Sequence, residues 1–373
     1  MGQVTSAALS RYDAEQLRSF GARVFEHVGM RPEDAGLLAG NLVDSELRGV
    51  DTHGLARLAP YAGQLRSGDV NPRPQVALEV RTPVVAAVEG DGGFGVIAGM
   101  KAVSWATEAA RSFGLAMAGV RNVGHFGTAS YYTRAAAAEG FIGIAMTDTS
   151  PVVAPAGGAE PRLGNNPLSI AVPDGRGGAS FCLDIAMSVV SRGRVKMHAL
   201  AGRALPPHWA IDADGVATSD AEAALTGALL PFGDYKGSGL SMAIEILAGA
   251  LTGAPLTQHI RHGGFTSAAG AAGAAGHAGG SRDAVTVGNL YLVIDPSVFR
   301  PAGEVLADVA AIRRYVKAVR PRPGETVLIS GEPEEAAAAE RTANGIPLGD
   351  ATLASLRQLA AETGVDLPAS RPQ

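Results

Sequence analysis

The chain is 373 residues long, 46% hydrophobic and 18% charged, with a formal net charge of -5 and a single cysteine, Cys182. That length is more than one hydrophobic core usually organises, so two domains are expected; the mild acidity gives no electrostatic reason to expect nucleic acid or an anionic membrane, and one cysteine excludes an internal disulfide. Residues 1–17 lack the pattern of a signal peptide, and the longest apolar run, 240–251, is short and interrupted by Glu245, so no membrane span and a cytoplasmic location are expected.

Leu17, Phe20, Val24 and Phe25 recur at helical spacing and predict a helix over 12–28, and Pro32-Glu33-Asp34 opens a second that runs to Leu47. Residues 46–57 then set Thr52, His53 and Arg57 beside Gly49 and Gly54, which is more polar chemistry than a fold needs at one place. An imidazole can exchange a proton near neutral pH. With a helix starting at Gly54, His53 and Arg57 lie four residues apart and can point into one pocket, where a planar guanidinium holds a carboxylate through two parallel bonds. A satisfied turn histidine is the alternative that these residues alone leave open. A third short helix over 55–65 closes at Ser67-Gly68-Asp69, and the prolines of 71–74 mark a boundary.

A strand over 84–88, the run Gly90-Asp91-Gly92-Gly93-Phe94-Gly95 and a helix over 96–113 together satisfy the G-x-G-x-x-G pattern of a Rossmann dinucleotide loop. The strand that follows, 115–120, ends without the acidic residue that would bind a ribose hydroxyl, although Arg121 suits a 2'-phosphate. A plain turn into a helix is the competing reading. His125 lies in the loop 122–127, between that strand and a helix over 128–139, where helix N–H groups collect ligands. A strand over 141–146 leads into Thr147-Asp148-Thr149-Ser150-Pro151, whose hydroxyls either reach a ligand or serve as turn residues.

After a turn at 163–167 and a strand over 168–172, Asp184 ends the apolar strand 181–186. Buried there, it requires a cationic or hydrogen-bonding partner, or else it caps the next helix. Cys182 in the same run reads as core rather than nucleophile. Residues 189–200 form a basic helix with Arg192, Arg194 and Lys196, read as a solvated face. Lys236, flanked by glycines just before an apolar helix over 240–251, is well placed for a phosphate or ribose. The Ala/Gly/Ser stretch 263–280 reads as a flexible loop in which His277 carries no weight. A strand over 289–294 and helices over 304–318 and 351–363 complete the chain, with no internal repeat.

The blocks RGVDTHGLARLAPYAGQLRSGDVNPRP, NVGHFGTASYYTRAAAAEGFIGIAMTDTSPVVAPAGG, LGNNPLSIAVP, FCLDIAMS and LLPFGDYKGSGL occur in that order. Together they resemble the malate/L-lactate dehydrogenase family that is unrelated to Rossmann-type lactate dehydrogenases and that includes ureidoglycolate, sulfolactate, 2,3-diketogulonate and piperideine-2-carboxylate oxidoreductases. The matches extend from about residue 8 to about residue 348. The resemblance implies an α/β (α+β) fold: a non-Rossmann, nicotinamide-binding mixed sheet with helices over 76–299, helical at about 189–260, and a discontinuous helical domain of 1–75 with about 300–373. It also implies that Gly90 to Gly95 are not a pyrophosphate loop.

The implied chemistry is reversible hydride transfer between NAD or NADP and C2 of a 2-oxo acid or a cyclic 2-imino acid (EC 1.1.1 or 1.5.1), by a homodimer acting on a small carboxylate-bearing substrate. By the same resemblance His53 carries the proton, with Asp184 as its partner and Thr52 in the relay, and His125 is the alternative carrier. Arg57, Thr149 and His125 would bind substrate. His125, Phe126, Gly127, Asp148, Thr149, Leu183, Asp184, Ile185, Lys236, Gly237, Gly288 and Asn289 would contact the cofactor. The cofactor supplies the hard chemistry, so no metal is expected.

Four positions depart from the family's usual pattern: Thr52 for Ser, Asp148 for Asn, Asn165 for Thr and Met187 for Thr. They put substrate identity in question more than reaction type and suggest a specialised substrate. The rival readings are a Rossmann-type dehydrogenase using Gly90 to Gly95, a hydrolase or lyase with Thr52 as nucleophile, and an inactive homologue that only binds.

Overall fold

The computed structural model describes residues 9–260 and 286–371, so the predicted loop at 263–280 lies outside the described residues. The chain divides into two compact units, Met1–Arg73 with Gly331–Gln373, and Pro74–Ser330.

The first unit is helical. Ala14–His27 is capped by Asp13, whose carboxylate accepts the N–H groups of Glu15 and Gln16, and Pro32–Leu47 begins on its proline. Leu17, Phe20, Val24 and Phe25 from the first helix and Leu38 and Leu42 from the second are fully buried. Each such side chain removed from water contributes about 1.5–3 kcal/mol. The later helix Asp350–Thr363 adds Leu353, Leu356 and Leu359 to this core, Glu332–Asn344 lies in the same segment without burying a residue, and Arg11–Tyr12 pairs antiparallel with Ile346–Pro347, so an early and a late segment of the chain are stitched together. The helix expected from Gly54 does not form there. Two 3-10 turns, Asp51–His53 and Leu55–Arg57, precede the α-helix Leu58–Ser67, because Gly54 between them is extended (ψ -143°).

The second unit is built on a seven-stranded mixed sheet, in spatial order Ala77–Thr82, Val85–Glu89, Leu115–Val123, Val287–Ile294, Ile142–Thr147, Leu168–Pro173 and Ala179–Ile185. Among the described strands of this sheet only Val85–Glu89 and Leu115–Val123 run parallel, joined by the helix Gly95–Phe113 in a single crossover. Val287–Ile294 enters late in the chain yet takes the central place, antiparallel to both neighbours. The outer strand Ala179–Ile185 is half-buried rather than core, and Cys182 with it. A strand with one neighbour lacks the second partner that would cover it.

Residues 188–260 add the helices Arg192–Leu200, Ala221–Thr226 and Tyr235–Ile244, the strand pair Ala210–Ile211 with Ala228–Leu229, and a small core around Val153, Val195, Leu205 and Leu229. The apolar helix predicted over 240–251 instead starts at Tyr235 and widens into a π-turn at Glu245–Ala250. Residues 300–330, expected with the helical domain, cluster with the sheet unit. Ser330 C=O accepts Cys182 N–H at 3.1 Å and ties that segment to the outer strand.

Candidate active site

In the first unit the turn 51–57 gathers three of the predicted site residues. His53 N–H donates to Val50 C=O at 2.9 Å and Arg57 N–H to Gly54 C=O at 2.9 Å, which fixes the backbone on both sides of the glycine. Thr52 Oγ1 lies 3.1 Å from His53 Nδ1, and Arg57 Nε donates to Thr52 C=O at 2.7 Å. The imidazole, its hydroxyl neighbour and the guanidinium therefore share one scaffold. Burial pushes the His53 pKa down to about 3, and the Arg57 charge adds to the effect, so the imidazole is neutral through the physiological range. Burial also lowers Arg57 from its ordinary value, and it raises the nearby Tyr61 hydroxyl to about 12.

In the second unit His125 is half-buried at the end of Leu115–Val123, ahead of the helix Ala129–Ala138. Its Nδ1 accepts Gly127 N–H at 3.1 Å, which leaves the proton of the neutral ring on Nε2 as a donor. Asp184, expected to be buried, is exposed on the outer strand, and its Oδ2 accepts Ser130 N–H at 2.8 Å in the first turn of that same helix. It is thus at least a helix cap, the structural reading that the sequence left open.

Thr149 is held by two asparagines. Its N–H donates to Asn166 Oδ1 at 2.9 Å and its Oγ1 to Asn165 Oδ1 at 2.9 Å. Asn166, at φ 26°, in turn donates from Nδ2 to Ser241 C=O at 2.9 Å and to Ser241 Oγ at 3.0 Å, joining this loop to the helix Tyr235–Ile244. Lys236 is exposed in the first turn of that helix, while Gly237 is buried where an added Cβ would lie 2.5 Å from Phe232 C=O.

Several expected contact residues point inward instead. Phe126 is buried with its ring 4.6 Å from that of Tyr132, so its side chain belongs to the core. Asn289 is fully buried and donates to Thr147 Oγ1 at 2.8 Å. Gly288 gives its N–H to Asp148 Oδ1 at 2.7 Å, and an added Cβ there would stand 1.9 Å from Ala248 C=O. Asp148 is completely buried, and its Oδ2 has no hydrogen-bond partner among the described residues. Burial drives its pKa to about 7, opposed by the Gly288 N–H and reinforced by Glu245. Leu183 and Ile185 remain half-buried on the outer strand.

The glycines of 90–95 are not a phosphate cradle. Gly90 and Gly92 N–H donate to the Arg121 and Asn122 carbonyls at 2.9 Å, Gly93 N–H to Gly90 C=O at 3.0 Å and Gly95 N–H to His125 C=O at 3.1 Å. Four amides that a pyrophosphate would need are spent within the protein. These residues are glycines because backbones meet there: a Cβ on Gly95 would lie 3.0 Å from Gly124 C=O and from Phe126 Cα. Among the described residues no group of three or more His, Cys, Asp or Glu could hold a metal, and no helix is long and apolar enough to cross a membrane.

Sequence reading missed Glu46, Asn166 and Arg341. Glu46 and Arg341 flank the His53 turn, and a glutamate near the end of an otherwise apolar helical face was the available signal for the first. Arg341 carried none, since it comes from almost 300 residues away.

A family model described as malate/L-lactate dehydrogenase matches residues 12–357. A malate dehydrogenase of Pyrococcus abyssi is 34% identical, with 95% of each chain covered. An L-sulfolactate dehydrogenase of Methanocaldococcus jannaschii is 33% identical over 92% of this chain and 94% of its own. The solved structure of malate dehydrogenase from Pyrococcus horikoshii superimposes with a TM-score of 0.84 at 32% identity, over 98% of this chain and 99% of that one.

Proposed function

We propose, since the chain belongs to the malate/L-lactate dehydrogenase family and is an oxidoreductase, that it moves a hydride between NAD(P)H and C2 of a 2-oxo acid or cyclic 2-imino acid. The observation that carries the reading is the turn 51–57, where an imidazole, a hydroxyl at its Nδ1 and a guanidinium share one rigid scaffold. The nicotinamide supplies the hydride when bound. The second unit has polar groups that suit it: His125 with its proton on Nε2, exposed Lys236 at a helix start, and the half-buried Thr149 hydroxyl as an acceptor.

Arg57 anchors the substrate carboxylate and thereby sets C2 at a fixed distance from His53. The guanidinium charge helps to keep the imidazole unprotonated, so a carboxylate that neutralises Arg57 raises the His53 pKa as it binds. Substrate capture and proton carriage are coupled through one residue. In oxidation the neutral imidazole accepts the hydroxyl or amine proton; in reduction the imidazolium returns one. Thr52 Oγ1 holds the ring at Nδ1 and so helps to set its orientation.

The test is a panel of 2-oxo acids and cyclic 2-imino acids against NADH and NADPH, followed at 340 nm. Arg57→Ala is expected to raise KM for the acid by about 30–100-fold, as loss of a charge-assisted pair of bonds implies, while leaving NAD(P)H affinity unchanged. Absence of turnover with every acid, or an unaltered KM in that variant, would defeat the reading.

A further inference from the structure

We propose that Glu46, Asp51 and Arg341 brace the turn that carries His53 and Arg57, and that Glu46 and Arg341 are positioning residues; the inference rests on the reaction proposed above. Glu46 is the penultimate residue of Pro32–Leu47, with its side chain 3% exposed. Its Oε1 accepts Leu55 N–H at 2.9 Å, the amide midway between His53 and Arg57. It passes directly beneath Gly54, where an added Cβ would lie 2.5 Å from Glu46 Cγ and 2.6 Å from Oε1. The glycine that breaks the turn into two is therefore the gap through which this carboxyl reaches.

The third member arrives from the other end of the chain. Arg341, on Glu332–Asn344, donates from Nη1 to Glu46 C=O and, at 2.7 Å, to Asp51 Oδ1, and lies 3.7 Å from Glu46 Oε2. One guanidinium nitrogen thus joins the end of one helix, the start of the first 3-10 turn and the carboxyl under the second. Arg48, paired with Asp44 at 3.2 Å and with Glu335 at 2.6 Å, ties the same two helices again nearer the start of Glu332–Asn344.

A buried carboxyl beside a second carboxyl is an expensive way to satisfy one amide, because burial and like charge both oppose its ionisation. A shorter polar side chain, or water on an exposed turn, would serve packing alone. What the arrangement adds is a fixed separation of His53 from Arg57, since Leu55 N–H is held between them. Displacement of a reacting group by 1 Å costs about a hundredfold in rate.

Four forms are compared: wild type, Glu46→Ala, Glu46→Gln and Arg341→Ala. Glu46→Ala is expected to lower kcat/KM at least tenfold, with both a raised KM for the acid and a lowered kcat, while the dissociation constant for NADH stays within twofold. Glu46→Gln keeps an acceptor for Leu55 N–H and is expected to recover activity to within threefold of wild type. Arg341→Ala should follow Glu46→Ala. Assays are run well below each variant's melting temperature, and the His53 ring carbon signals are followed by NMR in the same proteins, which reads the turn without any turnover. Kinetic constants within twofold of wild type in Glu46→Ala, or unchanged His53 signals in it, would overturn the brace. Altered His53 signals in a protein that reduces no acid even as wild type would leave the brace standing and remove the proposed reaction instead.

Discussion

Replacing Asp148 by Asn isolates one buried ionisation, and its sign and size follow from the surroundings. The carboxyl is wholly out of water, one oxygen is bound by Gly288 N–H at 2.7 Å, and the other faces Gly249 of the π-turn, where an added Cβ would lie 2.5 Å away. Its pKa rises from 3.8 to about 7, first through burial and then through Glu245, against the Gly288 bond. The unfolded chain loses this proton near pH 4 and the folded chain keeps it to about pH 7. Folding stability contributed by the protonated acid is complete at low pH, falls by about 1.4 kcal/mol per pH unit across that window, and is level above it. Summed over about three units, the ionised chain carries a penalty near 4 kcal/mol that Asn, equal in shape to the protonated acid, does not. Thermal melts of both proteins from pH 3 to 8.5 are expected to coincide at the acid end and to separate at the alkaline end. At about 2 °C per kcal/mol the variant should be ahead by roughly 8 °C at pH 8. A gap that does not change with pH, or an Asn variant that melts earlier at pH 8, would refute the account.

His53→Asn should lower kcat by about 10²–10⁴ with NADH affinity retained, as loss of a general acid–base group implies; equal loss of NADH binding would mean that the turn had collapsed. Asp184→Asn tests the role that the resemblance gives this carboxylate: the acid limb of the kcat/KM profile should move to lower pH, and an unmoved limb would remove that role while keeping the bond to Ser130 N–H. Gly95→Ala should lower the melting temperature while NADH affinity, measured on the folded protein, stays within threefold, because the added methyl meets Gly124 C=O and Phe126 Cα. A selective loss of cofactor binding there would instead favour a dinucleotide loop at Gly90 to Gly95.

The elements were legible where a local pattern decides them. Leu17, Phe20, Val24 and Phe25 announced a helix that forms over Ala14–His27, and Val85–Glu89 followed by Gly95–Phe113 matched the predicted strand and helix within a residue or two. The His53 turn was legible in its residue types but not in its shape, since nothing in Thr52-His53-Gly54 reveals that Glu46 reaches beneath Gly54 and forces two short turns. Asp184 was misjudged as buried because an apolar strand reads the same at the centre and at the edge of a sheet; only the strand order distinguishes them. The helix Glu332–Asn344 went unpredicted, with its alanine-rich sequence and no buried residue, and so did the reason for a discontinuous first unit. The returning segment brings Arg341 to Asp51 and the buried Leu353, Leu356 and Leu359 to the first unit's core.

The departures from the family pattern do not act alike. Met187 is fully buried against Ile244 and Ala248, and Asp148 lies against Gly249, so both substitutions bear on the same π-turn, Glu245–Ala250, and reshape packing rather than offer a ligand a new contact. Asn165 is different, because it acts on a half-buried hydroxyl. Asn166 Oδ1 is fixed as an oxygen by the Thr149 N–H that it accepts, and it stands 3.3 Å from Thr149 Oγ1, with Asn165 Oδ1 at 2.9 Å. Facing two acceptors, the hydroxyl must donate to one of them, and only its lone pairs are left for a ligand. A substrate carboxylate, which needs a donor, is poorly served there; a carboxamide N–H₂ or a protonated amine is well served. Within the proposed reaction Thr149 would therefore orient the nicotinamide amide or an amino product rather than the carboxylate, which Arg57 would hold.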